Sequence, residues 1–305
     1  MLTVTFLGTA GSLPTPERSP SAVLVNREGE MLLFDCGEGT QRQMMRAKTG
    51  MMKLSHIFVT HFHADHILGI PGLLETMSFQ GRNEPLTIAG PIGTTDMVDL
   101  FDELVYHKQK FPINALDLLP GDVLRRDGYQ IETIKTAHSV RSLGYCLKED
   151  SRPGRFNRSR AVELGVSPGP LFGRLQRGEI VDVEGKTVHP KDVMGPPRPG
   201  RKFVYTGDTR PSKEVEDASI DADLLIHDAS LADDMSDWAL ESMHSTAGEA
   251  AKLAQRAGVK KLVLTHISSR YSEDPSSLLN DACRHFPEAI VAEDLMKICV
   301  HLREK

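Results

Sequence analysis

The sequence predicts a layered α/β protein. Three similar units support this prediction, each a short apolar strand that ends in Asp or His: KFVYTGD, ADLLIHD and KKLVLTH. A fourth apolar stretch, HIFVT, ends where a dense group of histidines begins. Strands that alternate with helical segments and end in polar residues are typical of layered α/β architecture. The chain has no tandem repeat that would suggest a solenoid or a propeller.

The individual elements follow from local patterns of apolar, glycine and proline residues. In the first part of the chain we expect, in order, a strand in MLTVTFLG, a hairpin in SAVLVNREGEMLLFDCG, a helix over 38–48, a strand in HIFVT and a helix over 65–79 that Pro71 and Gly72 interrupt. Further on we expect a strand in PLTIAG, a helix over 93–107, short strands within 113–148, the three strand units, and helices over 246–257 and 275–284.

Composition bounds the class of protein. The chain has 305 residues, of which 40% are hydrophobic, so it can bury a large core as one large domain or two smaller ones. Its charged fraction of 26% is close to the globular average, which argues against wholesale disorder. A net charge of -6 and a pI of about 6.1 exclude a globally basic nucleic-acid binder but leave room for a local basic patch.

The cysteines and the N-terminus indicate the compartment. Cys36, Cys146, Cys283 and Cys299 are scattered without C-x-x-C spacing, as expected of reduced thiols in an intracellular protein. They suggest neither a disulfide framework nor a cysteine zinc site. The start MLTVTFLGT has no basic n-region, and no stretch of about 18 apolar residues follows, so we expect no signal peptide, no membrane span and a cytoplasmic location.

One segment departs from this average composition. Residues 151–201, called the basic arm below, carry ten Lys or Arg and five acidic residues, so the rest of the chain sums to -11. The arm also holds seven prolines and eight glycines. We expect such a stretch to pack poorly into a core and to form a flexible insertion. It is either a solvated loop whose charge has no special role or a contact surface for a polyanion.

The stretch THFHADHI places four metal-binding side chains within six positions, His61, His63, Asp65 and His66. In an extended turn, residues two apart project to the same side, so His61 and His63 can bind one ion together. Asp65 and His66 can bind a second ion beside it. Imidazole nitrogen and carboxylate oxygen suit zinc, with Mn²⁺ or Fe²⁺ as alternatives.

Four ligands cannot complete two sites, and polar residues at other strand ends are the candidates for the remainder: His138, Asp208 and His266. A carboxylate such as Asp208 can bridge two ions. A lone histidine, in contrast, is more often a hydrogen-bonded structural residue than a ligand. We assign that structural role to the remaining histidines outside the HSTA stretch, namely His56, His107, His189, His227, His285 and His301.

The string HFHADH, with GDT and TH downstream, resembles the metallo-β-lactamase superfamily. The resemblance implies an αββα sandwich over 1–305, treated as a single domain into which the arm 151–201 is inserted. It also implies a dinuclear centre with two Zn²⁺ per subunit. By the family pattern, His61, His63 and His138 hold one ion. Asp65, His66 and His266 hold the other, and Asp208 bridges them.

Further strings are similar to the ribonuclease Z family from the first strand to about Tyr271: FLGTAGSLPTPERSPSAVLV, LLFDCGEGTQRQ, HILGIPGLL, SPGPLFGRLQRGE, YTGDTRPS, HSTAGEAA and THISSRY. That resemblance implies removal of the 3′ trailer from precursor tRNA, which leaves a tRNA 3′-hydroxyl and a 5′-phosphate on the trailer. It implies that the arm grips the tRNA and that Gly169 and Pro170 form its Gly-Pro element. It also implies a homodimer.

The resemblance further implies a mechanism in which a hydroxide that bridges the two ions attacks the phosphorus. Asp65 orients or deprotonates the water, and His244 in HSTA protonates the leaving oxygen. Relatives often pair this histidine with a glutamate in an H-E-A motif, whereas this chain reads HDAS and places Asp228 there. The alternative for the HSTA stretch is a helix N-terminus capped by Ser245 or Thr246.

Contacts to the substrate complete the expected site. Ser245, Thr246 and Arg270 are candidates for binding a phosphate near the cleavage point, although Arg270 could equally form a surface ion pair. Arg155, Arg158 and Arg160 are the candidates on the arm, where they would neutralise RNA phosphates. The aromatic residues Phe6, Phe34, Phe58 and Phe203 lie in apolar strand patterns, so we expect them in the core and not on a base-stacking surface.

Three other functions remain open from the sequence. The first is a phosphodiesterase or arylsulfatase-like hydrolase of small substrates on the same scaffold, which would have no use for a basic arm. The second is a noncatalytic RNA-binding protein with a decayed site, against which the full ligand set argues. The third is a flavodiiron-type redox domain, which usually carries an extra carboxylate in the first motif and a following flavin domain.

Overall fold

The computed structural model describes residues 1–104 and 109–303. It comprises two compact units. The first contains Met1–Lys148 and Lys202–His301, apart from the residues outside the described part, and the second contains Glu149–Arg201 with Leu302 and Arg303. Within the described residues, no helix combines the length and the apolar character that a membrane span requires.

The strands are named in chain order. Their bounds are β1 (Leu2–Gly8), β2 (Ala10–Gly11), β3 (Ala22–Arg27), β4 (Glu30–Phe34), β5 (Leu54–Phe58), β6 (Leu86–Pro91), β7 (Ile113–Leu118), β8 (Val123–Arg126), β9 (Tyr129–Lys135), β10 (Leu143–Glu149), β11 (Val181–Val183), β12 (Lys186–Val188), β13 (Lys202–Tyr205), β14 (Leu224–Asp228), β15 (Leu262–Thr265), β16 (Ile267–Ser268), β17 (Ile290–Val291) and β18 (Lys297–Val300).

The α-helices are named in the same way. Their bounds are α1 (Thr40–Ala47), α2 (Ala64–Ile67), α3 (Gly69–Phe79), α4 (Thr94–Leu104), α5 (Arg158–Glu163), α6 (Pro170–Gln176), α7 (Pro190–Val193), α8 (Lys213–Ser219), α9 (Ser236–Ser242), α10 (Ala247–Arg256) and α11 (Ser276–Cys283). Three short 3-10 turns follow the same chain order, at Met51–Lys53, Asp233–Met235 and Ser269–Tyr271.

Two seven-stranded sheets form the first unit. Their strand orders are β18-β1-β3-β4-β5-β6-β7 and β17-β15-β14-β13-β10-β9-β8. Strands β4 to β7 run parallel in the first sheet, and β13, β14, β15 and β17 run parallel in the second. In parallel sheets, functional residues gather at the carboxyl ends of the strands. Those ends are where the sequence places its Asp and His residues.

The core between the sheets is rich in aromatic side chains. Phe34 stacks on Phe58 with ring centroids 5.2 Å apart, and it packs against Phe203 of the other sheet at 5.4 Å. Both sheets therefore turn an apolar face inward, and their side chains interdigitate there. The prediction that Phe6, Phe34, Phe58 and Phe203 belong to the core is confirmed, because all four are fully buried.

Helices cover the outer faces. One apolar cluster joins the first sheet to α1, α3 and α4, and another joins the second sheet to α8, α10 and α11. Helix α10 shows why such a helix forms here: Thr246 and Glu249 make a reciprocal capping box at its start, and its alanine-rich face is buried. Helix, sheet, sheet and helix are the four layers of an αββα sandwich, so the predicted fold class is confirmed.

Some predicted elements differ in detail. The single helix expected over 65–79 is divided into α2 and α3, with the break at Leu68, ahead of Pro71 and Gly72. The helix expected over 93–107 is observed as α4, and its last three predicted residues lie outside the described part. Helices α8 and α9 were not predicted, because neither seven-residue segment is long enough to show a clear helical period.

The second unit has its own secondary structure and a small core. Helices α5, α6 and α7 and the hairpin β11–β12 surround six buried apolar side chains, which are Ala161, Val166, Leu175, Val181, Val188 and Val193. Arg201 and Glu149 form a buried ion pair of 2.6 Å within this unit. The expectation that this segment packs poorly into a core is wrong in this respect. Its few apolar residues meet because short helices and a hairpin bring them to one side.

Candidate metal centre

The predicted ligands lie just beyond the ends of central strands. The group of His61, His63, Asp65 and His66 follows β5, and the last two of these residues lie in α2. Asp208 follows β13, His266 follows β15, and His138 follows β9. Because these strands belong to two facing sheets, residues far apart in the sequence meet at one rim of the sandwich.

The structure brings all seven predicted ligands into overlapping groups that could hold metal ions. One group contains His61, His63, His138 and Asp208, and a second contains Asp65, His66 and His266. A third group joins Asp208 and His266 to Asp228 and His244. In each group one ligand atom per residue lies within 4.8 Å of the others. Asp208 belongs to the first and third groups, and its two oxygens also lie 3.4 Å from His66 Nε2 and 3.3 Å from His266 Nε2, which belong to the second.

The distances between ligand atoms are suitable for metal coordination. Asp208 Oδ2 lies 3.5 Å from His61 Nε2 and 3.9 Å from His138 Nε2, whereas Asp208 Oδ1 lies 3.4 Å from His66 Nε2. His266 Nε2 lies 3.3 Å from Oδ2 of both Asp65 and Asp208. Two ligand atoms bound about 2 Å from one tetrahedral zinc ion lie about 3.3 Å apart. Most of the observed separations are close to that value.

The outer nitrogen of most of these imidazoles has a second partner. His61 Nδ1 lies 3.0 Å from the Thr60 hydroxyl, and His66 Nδ1 lies 2.8 Å from Asp35 Oδ2. His138 Nδ1 donates to the Met243 carbonyl, and His266 Nδ1 lies 2.8 Å from the Ser230 hydroxyl. Such contacts fix the ring orientation and leave Nε2 directed into the site. His63 differs, since it turns Nδ1 toward the cluster, 2.9 Å from His61 Nε2.

Two atoms of the cluster are left without partners. Among the described residues, His66 Nε2 and Asp208 Oδ1 are buried polar atoms without a hydrogen bond. An unsatisfied buried polar group is costly, and native proteins rarely keep one without a compensating ligand. His66 belongs to the second predicted ion position and Asp208 to both, and the two unpaired atoms lie 3.4 Å apart. The residues present therefore fit a bound pair of divalent cations.

The electrostatics favour cation binding as well. Burial alone raises the pKa of the Asp208 carboxyl, yet the charges of His266, His66 and His61 hold that pKa well below its usual value. Burial likewise raises the pKa of Asp65, and hydrogen bonds from His266 and His66 outweigh it and lower that pKa. Both carboxylates are therefore ionised at neutral pH and carry the negative charge that would attract divalent ions.

His244 and Asp228 form a pair beside the ligand cluster. His244 Nδ1 lies 2.9 Å from Asp228 Oδ2, so the aspartate reaches the histidine despite being one carbon shorter than glutamate. Burial lowers the pKa of His244, but the Asp228 charge and hydrogen bond outweigh it and raise that pKa to about 9. Asp228 is itself held by hydrogen bonds from the Thr209 and Ser230 backbone N–H groups.

The loop that carries His244 is clamped from both sides. Arg210 Nη1 donates to the His244 carbonyl at 2.6 Å, and the same guanidinium forms an ion pair with Glu249. Ser245 donates to the Thr209 carbonyl, and Thr246 caps α10 and donates to Asp233. Both hydroxyls are buried and already used as donors. Thr246 is the N-cap of α10, as the helix-cap alternative expects, and phosphate binding by Ser245 and Thr246 stays a prediction.

A cleft of about 250 Å³ opens beside the cluster. His244, His266 and Arg270 are among the residues that line it, and the Arg270 side chain is exposed. The backbone N–H of Ser12, which also lines the cleft, donates to Asp65 Oδ2 at 2.8 Å. Arg270 is thus placed where it could meet an anionic substrate, and a loop near the N-terminus helps to hold Asp65.

The candidates on the arm belong to the second unit. Arg155, Arg158 and Arg160 are exposed, and Arg160 forms an ion pair with Glu163 in the next turn of α5. Gly169 is the residue before α6 and adopts a φ of 148°, which favours glycine, and Pro170 occupies the first helical position. The Gly-Pro element therefore has a local structural role as the start of a helix.

The histidines to which the sequence assigned a structural role lie apart from the candidate metal ligands. His56, His189, His227, His285 and His301 lie outside the three metal-capable groups found among the described residues. His107 is outside the described part.

Asp35 was not predicted as a site residue, yet it accepts hydrogen bonds from Thr60, Tyr205 and His66. Its signal in the sequence is its position directly after the apolar strand β4, and Asp208 likewise lies close to the end of an apolar strand, three residues after β13.

Comparison with known proteins agrees with this geometry. A family model described as the anti-Pycsar protein Apyc1 matches residues 2–100, and one described as a beta-lactamase superfamily domain matches residues 185–267. The fold also matches the metallo-beta-lactamase fold protein YhfI from Bacillus subtilis, with a TM-score of 0.71 at 20% identity over 97% of this chain and 98% of that one. The sandwich and its rim of histidines and aspartates therefore define a protein of the metallo-β-lactamase fold.

Closer relatives narrow the class. The chain is 62% identical to a ribonuclease Z of Methanosarcina acetivorans over 99% of both sequences, and 47% identical to one of Archaeoglobus fulgidus over 99% of this chain and 98% of the relative. It also matches the crystal structure of human tRNase Z, short form, with a TM-score of 0.70, at 28% identity over 98% of this chain and all of that one. The chain belongs to the ribonuclease Z family and is an endoribonuclease of that type.

Proposed function

We propose that this enzyme removes the 3′ trailer from precursor tRNA and leaves a 3′-hydroxyl on the tRNA and a 5′-phosphate on the trailer. The observation that carries the proposal is the carboxylate Asp208, which lies within 3.5 Å of both His61 Nε2 and His66 Nε2 in a chain that matches a ribonuclease Z over 99% of both sequences. The His244–Asp228 pair lies in the same rim, so a metal centre and a proton donor are close together.

Zinc is the proposed metal, two ions per subunit, since imidazole with carboxylate is a donor set typical of zinc. His61, His63 and His138 would hold one ion, Asp65, His66 and His266 the other, and Asp208 both. Ions bound there supply a water acidified to near neutral pKa and neutralise the charge that develops on the phosphoryl oxygens. Mn²⁺ and Fe²⁺ are the alternatives that the same donor set accepts.

Two residues would handle protons. Asp65 Oδ2 receives the Ser12 N–H, so this carboxylate is held in one orientation from which it can orient the attacking water. His244 would donate a proton to the leaving 3′-oxygen. Its pKa of about 9 keeps the imidazole protonated at cellular pH, and the bond to Asp228 at Nδ1 leaves Nε2 as the donating atom.

The arm would bind the RNA backbone. Arg155, Arg158 and Arg160 are exposed cations on the second unit, and cations of this kind bind phosphates of any sequence and release counterions. Structured RNA is read mainly through its shape and backbone, so a group of exposed arginines suits tRNA. A hydrolase of small phosphodiesters would have no use for these residues.

The proposal includes a cytoplasmic homodimer. Large apolar side chains on three helices of the first unit are exposed, including Met45 on α1, Phe79 on α3 and Leu104 on α4. Exposed apolar side chains in such number are common at protein interfaces. Sedimentation of the purified protein tests this part: a single species of twice the chain mass supports it, and a monomer at micromolar concentration contradicts it.

The direct test is cleavage of a 3′-extended precursor tRNA by the purified protein. Wild type and Asp65→Ala are compared with and without chelator, and a small phosphodiester is tried beside the RNA. The proposal expects cleavage after the last nucleotide of the mature tRNA body, lost in the variant and on chelation. Turnover of the small ester alone would retain the metal site but remove the tRNA assignment.

A further inference from the structure

The cleft beside the metal centre contains an unusual residue. Trp238 is the only tryptophan of the chain, and it is 48% exposed on α9 instead of being packed in the core. It lines the cleft of about 250 Å³ together with two other apolar side chains, Leu13 and Leu231. Large aromatic side chains are usually buried, so an exposed indole inside a functional cleft suggests a ligand that covers it.

The cleft combines apolar and charged surfaces. The indole and the two leucines supply the apolar part, and Arg270 supplies a positive charge. His244 and His266 are also among the lining residues, so the cleft extends to the reacting groups. A nucleotide has the same two-part character, with a flat apolar base and an anionic phosphate. Aromatic side chains provide stacking surfaces for bases, and arginine binds phosphates.

Hydrogen bonds connect the helix that carries Trp238 to the residues at the metal centre. Helix α9 ends at Ser242, whose hydroxyl donates to the Trp238 carbonyl at 2.7 Å. Met243 then turns the chain with a φ of 60°, and the His244 N–H bonds back to the Ala239 carbonyl. The Met243 carbonyl in turn accepts a hydrogen bond from His138. The helix that carries the indole is therefore tied directly to His244 and to a predicted metal ligand.

We propose that Trp238 stacks on the base of the nucleotide immediately 5′ of the scissile phosphodiester. This inference rests on the proposed function, in which His244 protonates the leaving 3′-oxygen. The nucleoside that owns that oxygen must then lie beside His244, and the cleft that His244 shares with Trp238 is where its base can enter. Stacking does not read hydrogen-bond patterns, so the platform accepts any of the four bases and positions the scissile bond.

A cycle of two changes tests the platform. One change is Trp238→Leu, and the other is a precursor tRNA with an abasic residue at the nucleotide 5′ of the cleavage point. Stacking on an aromatic side chain accounts for about a tenfold effect. We expect each single change to lower kcat/KM about tenfold, and the two together to lower it no further than either alone. Multiplicative losses in the doubly changed pair would overturn the proposal.

Two variants guard against a merely structural explanation. Trp238→Phe keeps an aromatic face and should recover most of the activity lost in Trp238→Leu. Leu240→Ala removes an exposed apolar side chain from the same helix, outside the cleft, and should act like wild type. Thermal unfolding of all variants reports on folding. Equal losses in Trp238→Phe and Trp238→Leu at unchanged melting temperature would contradict stacking.

The single tryptophan also gives a readout that does not depend on catalysis. Mature tRNA that ends at the proposed nucleotide should quench the fluorescence of the protein when tryptophan is excited selectively. The same tRNA shortened by that one nucleotide should bind through the arm and leave the fluorescence unchanged. Quenching by an isolated trailer oligonucleotide, and not by mature tRNA, would assign the platform to the other side of the bond and overturn the proposal.

Failure of the platform and failure of the proposed function give different results. Wild-type protein that cleaves precursor tRNA but shows the same abasic penalty in Trp238→Leu contradicts the platform alone. Wild-type protein that neither cleaves precursor tRNA nor shows quenching with mature tRNA contradicts both. Quenching without cleavage retains a nucleotide site at Trp238 and removes the assigned reaction.

Discussion

The first unit and the second unit differ in how their polar and charged side chains are held. In the first, the residues at the rim of the sandwich are buried or half-buried, and most outer imidazole nitrogens have a second partner. In the second, six buried apolar side chains form a small core, and the exposed arginines Arg160, Arg174 and Arg177 form ion pairs with Glu163 or Glu179. Hydrogen bonds therefore fix the positions of the polar side chains at the rim of the first unit, whereas the second unit carries its positive charges on exposed side chains.

The difference agrees with the role that we propose for each region. Metal coordination and proton transfer depend on distances controlled to within about 0.5 Å, which requires locked side chains. Contact with a phosphate backbone depends mainly on the number of positive charges, and each contact adds a similar increment. Damage to the first region should therefore abolish the reaction with little effect on RNA binding. Damage to the second should weaken RNA binding gradually and leave the chemistry intact.

Asp208→Ala should have the largest effect. Both metal-capable groups that contain Asp208 lose their shared carboxylate, so we expect bound zinc to fall and cleavage to drop below detection. Binding of precursor tRNA should persist, because the arm is untouched. Metal analysis, cleavage and RNA binding measured on the same preparation check this. Asp99→Ala, an exposed carboxylate on α4, is the matched control and should resemble wild type.

His244→Ala should have the next largest effect. Removal of a general acid lowers kcat by about 10² to 10⁴-fold, and we expect a loss in that range for precursor tRNA at pH 7. Zinc content should stay at the wild-type level. A parallel loss of zinc would instead make His244 a ligand, which its place in a metal-capable group allows. His301→Ala, an exposed histidine, is the control.

The sequence predicted the first region better than the second. The candidate ligands at 61–66, His138, Asp208 and His266, which the structure brings together, follow apolar strands, and this local signal can be recognised without knowledge of the fold. Two roles stay open for Ser245 and Thr246 in the sequence, because a hydroxyl beside a candidate acid looks the same whether it meets a phosphate or caps a helix. The structure shows that Thr246 caps α10. The partners of Asp35 come from three separate segments, and sequence periodicity carries no information about such contacts.

The core of the arm was missed for a different reason. Its buried residues are single Ala, Val and Leu side chains spaced irregularly between glycines and prolines, so no helical or strand period stands out. Pairing of β18 with β1 joins the two ends of the chain, for example Leu2 with Val300. Contacts over such separations depend on the whole topology. Features that depend on local sequence patterns, such as strands and the residues at their ends, could be predicted. Contacts that depend on the topology of the whole fold could not.

Replacing Arg155, Arg158 and Arg160 together by Ala should have a moderate effect confined to binding. Each lost phosphate contact reduces the slope of log K against log salt by about 0.9, so we expect the slope to fall by about 2 to 3. Binding isotherms at several salt concentrations measure this. The control is the triple Lys213, Lys252 and Arg256 to Ala, taken from exposed positions on the first unit. An unchanged slope in the arm variant would contradict the proposal that these three arginines contact RNA phosphates.

The smallest of the expected effects is the change in kcat of the wild type with pH near neutrality. His244 donates only as an imidazolium, and its raised pKa keeps it protonated up to about pH 9. As pH rises through that value the donor is lost, so kcat should be flat from pH 7 to 8 and then fall about tenfold per unit above 9. The arm variant should keep this alkaline limb. His244→Ala should lack it, and a limb that survives there would belong to another group.

The division between the two regions is tested most directly by comparing two substrates in one experiment. Wild type and the arm triple variant are assayed for kcat/KM on a 3′-extended precursor tRNA and on a small phosphodiester. The account predicts that the variant loses activity on the tRNA by raising KM, while its turnover of the small ester is unchanged. Equal losses on both substrates would contradict it, because the arginines of the second unit would then be supporting the metal centre itself.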